Sequence, residues 1–545
     1  MNVFQSALCF DKKIGKLKLS PVYVIMGLKV GAFCLLVLLV AGIAARVPRP
    51  SHIPRHVWGR PFHGLLSPLE DATNSQCDTT YEEGNFTQPL DHFNSSITDT
   101  WQQYYQYNTN YATPGSNIVF FMLGGESPIG AKWICRSDYA YLQWAKKYGA
   151  TVFQVEHRYF GRSRPKPTQT TENLKWFTPE QILADFDAFI NAMNKDFFNG
   201  KQMKWVLFGG SYPGSLTAWM RAAYPNSSIA GISSSSAVGL FVDYYGYATN
   251  MQKNYKKQSA ACGSSIEAGF KKIQTLSLSE AGRKQLQTIF NTCTDFPDSD
   301  SISPRDLQYF YSNVFGEFQG INQYSGDNRD PLTATWGLGV PKACDYLTDS
   351  SVTDEVQRVA NVINWVNGLY GEPNACLPNN YTDYIVTYSD PKYDASGDIA
   401  SGRSWTFQCC SYLGYFQTTD GGRDNGIWGS LIPVDFYVDQ CIDMFGPEFK
   451  LDFTYAQVDK YLEKFGGAKH YKGTNVVFPN GSLDPWFSLG LIDGYQNETN
   501  NVFATTIDGG AHCSDMYPAR PQDSASLTAA RKLIADKLDY FINNA

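Results

Sequence analysis

Apolar residues in this chain fall into short unbroken runs separated by stretches with helical spacing. Ile118 to Leu123, Thr151 to Val155, Trp205 to Phe208 and Asn475 to Phe478 are such runs, each followed by turn-forming or polar residues, and they predict buried strands. Between them lie helix patterns. Thr178-Pro-Glu-Gln181 is a capping box with proline in the first turn, and Ile182, Phe186, Phe189, Ile190 and Met193 behind it share one face. After Pro213, the residues Leu216, Trp219, Met220 and Ala223 repeat at helical spacing until Pro225. A last amphipathic helix is predicted over Leu527 to Ile542, with Leu527, Ala530, Ile534, Leu538 and Phe541 inward. Continuous apolar strands alternating with helices imply an α/β fold, a mostly parallel sheet with helices on both faces. From about residue 240 to 450 the pattern changes to helix-like stretches, such as Ile266 to Ile273 and Val356 to Leu369, divided by polar segments. We expect an α/β domain over 77–240 and 451–545, interrupted by an inserted, mainly helical domain over 241–450.

The N-terminal region has a different character. The apolar run Val30 to Ala45 follows Lys29 and ends in small residues, the layout of a secretory signal peptide. The run is shorter than the ~20 residues of a spanning helix, so residues 1–45 are expected to be a signal with no stable membrane span, and Met26 is a second plausible start. Residues 46–76 are rich in Pro, Arg, His and Ser and suggest a disordered or pro-segment-like tail. Behind the signal stand ten cysteines, Cys77, Cys135, Cys262, Cys293, Cys344, Cys376, Cys409, Cys410, Cys441 and Cys513. In an oxidising compartment most should pair, and their spacing matches no zinc pattern. Sequons at Asn85, Asn94, Asn226, Asn380, Asn480 and Asn497 fit the secretory pathway, lysosomal or extracellular. Hydrophobic residues make up 43% and charged residues 18%, so the chain is globular. A net charge of −7 without a basic cluster argues against nucleic acid as a partner. No cofactor or metal is expected, and a homodimer is left open.

The candidate chemistry centres on Phe208-Gly-Gly-Ser-Tyr-Pro-Gly214, which puts Ser211 at the tip of a strand–turn–helix. That context lifts a serine hydroxyl clear of a sheet. The motif departs from G-x-S-x-G, because Pro213 stands where the second glycine belongs. A serine nucleophile needs a base and an acid to orient it. Outside the tail the histidines are His92, His157, His470 and His512. The chain order serine, acid, histidine leaves His470 and His512, and only His512 leaves room for a strand and an acid before it. Asp484 follows the strand at 475–478 and is the expected acid, with Asp493 and Asp508 as alternatives. For the oxyanion the backbone N–H of Tyr212 and one from the loop Gly124-Gly125-Glu126 are expected, Gly125 being the chosen residue.

Several stretches, taken in order, carry a family resemblance: Phe86-Thr-Gln-Pro-Leu-Asp-His-Phe93, Gly124-Gly-Glu126, Glu156-His-Arg-Tyr-Phe-Gly161, Thr178-Pro-Glu-Gln-Ile-Leu-Ala-Asp185, Gly209-Gly-Ser-Tyr212, Asn480-Gly-Ser-Leu-Asp-Pro-Trp486 and Gly509-Gly-Ala-His512. The chain resembles the serine exopeptidase family of lysosomal Pro-Xaa carboxypeptidase, dipeptidyl peptidase II and thymus-specific serine peptidase. The resemblance implies an α/β-hydrolase with a helical cap, a triad of Ser211, Asp484 and His512, and cleavage of proline-containing peptides near a terminus. Arg403-Ser-Trp-Thr-Phe-Gln-Cys-Cys-Ser-Tyr412 departs from the family's Gln-Thr-Cys-Thr-Glu, with Cys409 and Tyr412 replacing a threonine and the glutamate. That leaves carboxypeptidase and dipeptidyl-peptidase action both open. An inactive binding protein of the same fold and an esterase or lipase are the competing expectations.

Overall fold

A computed structural model describes residues 48–64, 77–299, 301–326, 337–421, 426–492 and 495–545. The expected signal at 1–45 lies outside the described residues. The strands are β1 (His56–Val57), β2 (Arg60–Pro61), β3 (Glu82–Pro89), β4 (Thr100–Asn108), β5 (Ile118–Leu123), β6 (Thr151–Val155), β7 (Lys204–Gly210), β8 (Ala230–Ser234), β9 (Phe241–Asp243), β10 (Gly414–Phe416), β11 (Val476–Gly481), β12 (Gln496–Asn497) and β13 (Val502–Ile507). Nine of them form one sheet in the order β12-β13-β11-β8-β7-β5-β6-β4-β3. The inner six, β13 to β6, run parallel, and antiparallel strands close both edges.

The apolar runs account for the layers. In β5, Val119, Phe121 and Leu123 enter one core while Ile118, Phe120 and Met122 enter the other. Alternate side chains of a strand point to opposite faces, so an unbroken apolar run needs cover on both. Helices Pro179–Ala192 and Tyr212–Ala223 cover the first face, and helices Ala140–Tyr148 and Ala525–Asn543 the second. The predicted cap forms on one side: the Thr178 hydroxyl accepts from Gln181 N–H, with Pro179 in the first turn, while the Gln181 side chain accepts from His92 N–H and donates to Asp91. In the last helix, capped by Ser524, the five residues expected to face inward are buried. The fold is that of an α/β-hydrolase, with a helical insertion between β8 and β11. Its helices, including Ala260–Ser277, Pro304–Gln323 and Glu355–Leu369, share the first face's core. That core runs from Phe121 and Trp205 in the sheet to Phe270, Phe318 and Trp428 in the insertion.

Two expectations need correction. Residues 48–64 are not a disordered tail. β1 and β2 form a hairpin, and Ile53, Val57, Trp58 and Phe62 are buried in the main core. Arg55 is buried and donates to Glu317 at 2.9 Å, Asn367 at 2.7 Å and Glu372 at 2.7 Å. A composition rich in Pro, Arg and His conceals this, because the side-chain partners of Arg55, His52 and His63 lie hundreds of residues away. The edge strands β3 and β4 and the inner strands β8 and β13 also went unpredicted, since β3 and β4 are largely polar and serines or threonines interrupt the apolar residues of β8 and β13. Eight of the ten cysteines pair, as Cys77–Cys135, Cys262–Cys344, Cys293–Cys376 and Cys410–Cys441, while Cys409 and Cys513 are free and buried. Asn480 is only 1% exposed, a poor glycan acceptor. Among the described residues no helix is long and apolar enough to cross a membrane.

One buried ion pair ties the β4–β6 side of the sheet together. Arg158 Nε and Nη2 donate to the two Asp185 oxygens at 2.6 and 2.7 Å, and His92 Nε2 lies 2.8 Å from the same carboxylate. Arg158 and Asp185 are almost completely buried. Replacing Asp185 with alanine strands the guanidinium, and a loss of about 3–5 kcal/mol is expected. Equilibrium denaturation of Asp185→Ala checks it; a loss near zero would mean that the pair contributes little.

Candidate active site

β7 ends at Gly210, and the helix Tyr212–Ala223 starts two residues later. Ser211, between them, has φ 63° and ψ −130°, a conformation costly for a residue with a Cβ and typical of functional turns. Close packing fixes it. A Cβ on Gly209 would lie 2.2 Å from the Pro213 carbonyl oxygen, and one on Gly125 only 2.3 Å from Pro213 Cγ. The departure at Pro213 is thereby explained. The ring occupies the space that Gly125, two residues beyond β5, leaves open from across the site. Ser211 N–H donates to Ser234 O at 2.9 Å, which fastens the turn to the end of β8.

Asp484 and His512 come from the loops after β11 and β13, which are neighbours in the sheet. His512 Nδ1 lies 2.6 Å from Asp484 Oδ2, with both side chains buried. Asp484 Oδ1 accepts from Trp486 N–H at 3.0 Å, which sets the carboxylate's orientation. His512 N–H donates to Gln323 O at 3.0 Å. Burial works to lower the imidazole's pKa, but the Asp484 carboxylate and the neighbouring Cys513 together hold His512 well above its ordinary value. His512 Nε2 is buried and has no hydrogen-bond partner. The His512 loop packs on the Ser211 turn: a Cβ on Gly210 would meet Met516 Sδ and Cys513 Sγ, and Cys513 N–H donates to Ser235 Oγ at 2.9 Å.

The other candidates fall away from this cluster. His92 belongs to the Arg158–Asp185 pair, and His470 is exposed. His157 is buried, which pushes its pKa down to about 4; its Nε2 lies 3.2 Å from the Tyr212 hydroxyl. Asp508 is 78% exposed, and Asp493 lies outside the described residues. Tyr212 opens its helix, where N–H groups have no intrahelical acceptor. Its hydroxyl accepts from Gln408 Nε2 at 2.7 Å, and the same amide donates to Tyr412 at 2.6 Å. Tyr412, which stands in the glutamate's place, is therefore part of a buried tyrosine–glutamine–tyrosine chain behind the Ser211 turn.

A cavity beside Ser211 is lined by Glu126, Ala237, Trp405, Tyr415 and Trp486, and also by Arg60 from the N-terminal hairpin. Sequence reasoning missed Arg60, Trp405, Tyr415 and Trp486. Trp405 and Trp486 lie within stretches compared with the family, but nothing local marks any of the four as a cavity wall, a role they take only through tertiary packing.

The model of the family described as serine carboxypeptidase S28 matches residues 88–534. The chain belongs to the serine carboxypeptidase S28 family. A Caenorhabditis elegans protein provisionally named a serine protease is 37% identical over 93% of each chain. The human thymus-specific serine protease is 26% identical, covering 85% of this chain and 87% of its own. The human lysosomal Pro-X carboxypeptidase is 25% identical, covering 82% and 86%. Among solved structures, the proline iminopeptidase of Mycobacterium smegmatis covers 84% of this chain and all of its own at 12% identity, with a TM-score of 0.28, too low to bear on function. In this S28 peptidase the hairpin with Arg60 precedes the matched region.

Glu156, at the end of β6, ties the loops around the site. Its carboxylate accepts from Ile129 N–H at 3.2 Å and from Arg162 and Ser163 N–H at 2.8 Å each. Burial pushes its pKa up to about 7, despite those hydrogen bonds. A carboxyl whose folded pKa is raised contributes stability that is present in full below its unfolded pKa and is lost as pH rises through the folded one. The window here runs from the ordinary 4.5 to about 7. His157 works in the opposite direction below 6.5, so the wild-type curve alone cannot isolate Glu156. Glu156→Gln mimics the protonated acid. The stability difference, variant minus wild type, should rise by about 3 kcal/mol between pH 4.5 and pH 8, measured by denaturant titration at each pH. A flat difference would mean that Glu156 is ionised throughout.

Proposed function

We propose that this serine peptidase is an exopeptidase that hydrolyses peptides at prolyl bonds through Ser211, His512 and Asp484. The observation that carries it is the buried 2.6 Å contact of His512 with Asp484, packed against a strained serine at a strand–helix turn. Ser211 Oγ attacks the scissile carbonyl carbon while His512 Nε2, free of other partners, takes the hydroxyl proton. Asp484 holds Nδ1 protonated and stabilises the imidazolium. The carbon–nitrogen bond then breaks, His512 returns the proton to the leaving amine, and an acyl-serine remains. Water repeats the sequence and frees the acid. The N–H groups of Tyr212 and Gly125 are the proposed donors to the oxyanion.

Proline preference draws its support from the cavity walls and from the relatives. Proline lacks an N–H and has a fixed φ, so a compact slot of Ala237, Trp405, Tyr415 and Trp486 suits it without a polar partner. The lysosomal Pro-X carboxypeptidase relative and the four disulfides support work in the secretory pathway, in a lysosome or outside the cell. The insertion over 241–450 is proposed as the cap that narrows the entrance to peptide ends.

Ser211→Ala should abolish labelling by an active-site phosphonate and lower kcat/KM by about 10⁴-fold or more. His512→Ala should lower it comparably, and the double variant should be little worse than either single one, because base and nucleophile act in one step. Multiplying losses would reject the assignment. A peptide panel with proline or glycine before the cleaved bond, free-ended or blocked at both ends, should show fastest turnover for free-ended prolyl peptides. Faster cleavage of blocked peptides would identify an endopeptidase.

A further inference from the structure

The hairpin at 56–61 reaches the site in an unusual way. Its turn is Trp58-Gly59, both with positive φ, 51° and 71°, as a tight hairpin of this type requires. Gly59 tolerates no side chain: a Cβ would lie 2.5 Å from Gln417 Nε2 and 2.7 Å from the Trp486 ring. The Trp58 indole donates to Gln440 Oε1 at 3.0 Å, and the Trp405 indole donates to Trp58 O at 3.2 Å. Arg55, on Glu317 and Glu372, holds one end of the hairpin, and His63, 3.0 Å from Asp398, holds the other. The hairpin is thus built into the cavity wall between Trp405 and Trp486.

Arg60 follows that turn and is 2% exposed. Nε donates to Glu126 O at 2.7 Å and Nη1 to Phe62 O at 3.0 Å, while Nη2 is buried with no partner. Both occupied acceptors are neutral carbonyls. Among the described residues no carboxylate forms an ion pair with Arg60, although Glu126 lines the same cavity. Burial pushes the Glu126 carboxyl up, towards its neutral form. Arginine stays charged under such conditions, and a buried charge without a counter-ion is costly. Two of its five N–H donors are occupied, and the rest suit a carboxylate. The guanidinium also shares its cavity with a residue hydrogen-bonded to the histidine's backbone. Glu126 offers its carbonyl to Arg60 and feels the charge of His512. Gln323, whose carbonyl accepts from His512 N–H, lines the cavity with Arg60. Histidine protonates the leaving amine, so the leaving residue sits on the histidine's side. When that residue is the last of a peptide, its free carboxylate is only two bonds from the leaving nitrogen.

We propose that Arg60 anchors the α-carboxylate of a substrate's C-terminal residue, making the enzyme a carboxypeptidase that releases one residue at a time. This rests on the Ser211 peptidase assignment and decides between the two exopeptidase modes left open by it.

The test compares N-blocked prolyl peptides ending in a free acid or in an amide, with Ser211 labelling by a fluorophosphonate as a separate readout of the catalytic machinery. Wild type should favour the free acid by about 10- to 100-fold in kcat/KM, the range of a charge-assisted hydrogen bond. Arg60→Met should lose that preference chiefly through KM, so that its acid-to-amide ratio falls to about one, while Arg60→Lys should retain part of it. Should Arg60→Met fold poorly, protection of wild-type Ser211 from labelling by the free-acid peptide, and not by its amide, gives the same answer. Equal turnover of acid and amide by a Ser211-dependent wild type would overturn the anchor and leave the peptidase standing. So would release of dipeptides from free amino ends whatever the carboxyl end. An unlabelled Ser211 with no peptide cleaved would overturn both.

Discussion

The contact between His512 and Asp484 depends on the parallel sheet that sets their two loops side by side. The two residues lie 28 positions apart, at the ends of neighbouring parallel strands, and neither loop alone brings an imidazole to a carboxylate. A parallel sheet does so because all its strand ends on one side open onto the same edge. The same edge carries Ser211 after β7 and Gly125 after β5. A charge pair this deeply buried survives only with close geometry and further hydrogen bonds, and the Trp486 N–H and the packing of 510–516 against β8 supply them.

The packing that sustains the edge is aromatic and crosses large sequence distances. Trp486 stacks near Tyr244 and Tyr415, which links the acid's loop to the first and last parts of the helical insertion. Trp405 meets Tyr212 and Tyr415. Through such contacts the insertion shares the core of the sheet and shapes the cavity directly. The N-terminal hairpin completes the wall, so residues before the family's matched region are as much a part of the site as the nucleophile turn.

Two buried polar systems lie outside the chemistry. The Arg158–Asp185–His92 cluster uses residues from motifs that mark the family, yet its geometry is structural, with the carboxylate saturated by its partners. Glu156 similarly gathers three backbone N–H groups from the loops flanking the site. Motif membership therefore does not separate His92 from His512; what distinguishes His512 is burial with one ring nitrogen on Asp484 and the other without a hydrogen-bond partner.

The sequence by itself determined those features whose causes are local. Unbroken apolar runs gave four of the six inner strands, β5, β6, β7 and β11, but not β8 or β13, whose serines and threonines interrupt the pattern; the Thr178 cap and the 3.6-residue spacing gave helices, and glycine pairs around Ser211 gave the turn. Chain order then singled out His512 and Asp484, because a parallel sheet visits its strand ends in a readable sequence. What lacked a local cause was invisible. The strands β3 and β4 are half solvated, so their pattern is polar, and Tyr412 became intelligible only beside Gln408 and Tyr212. Residues 49–63 read as a tail because nothing nearby in sequence could neutralise or bury them. Their partners, Glu317, Glu372, Asp398, Gln440 and Trp486, are brought to them by the tertiary fold alone, and a lone Arg60 acquires its environment in the same way.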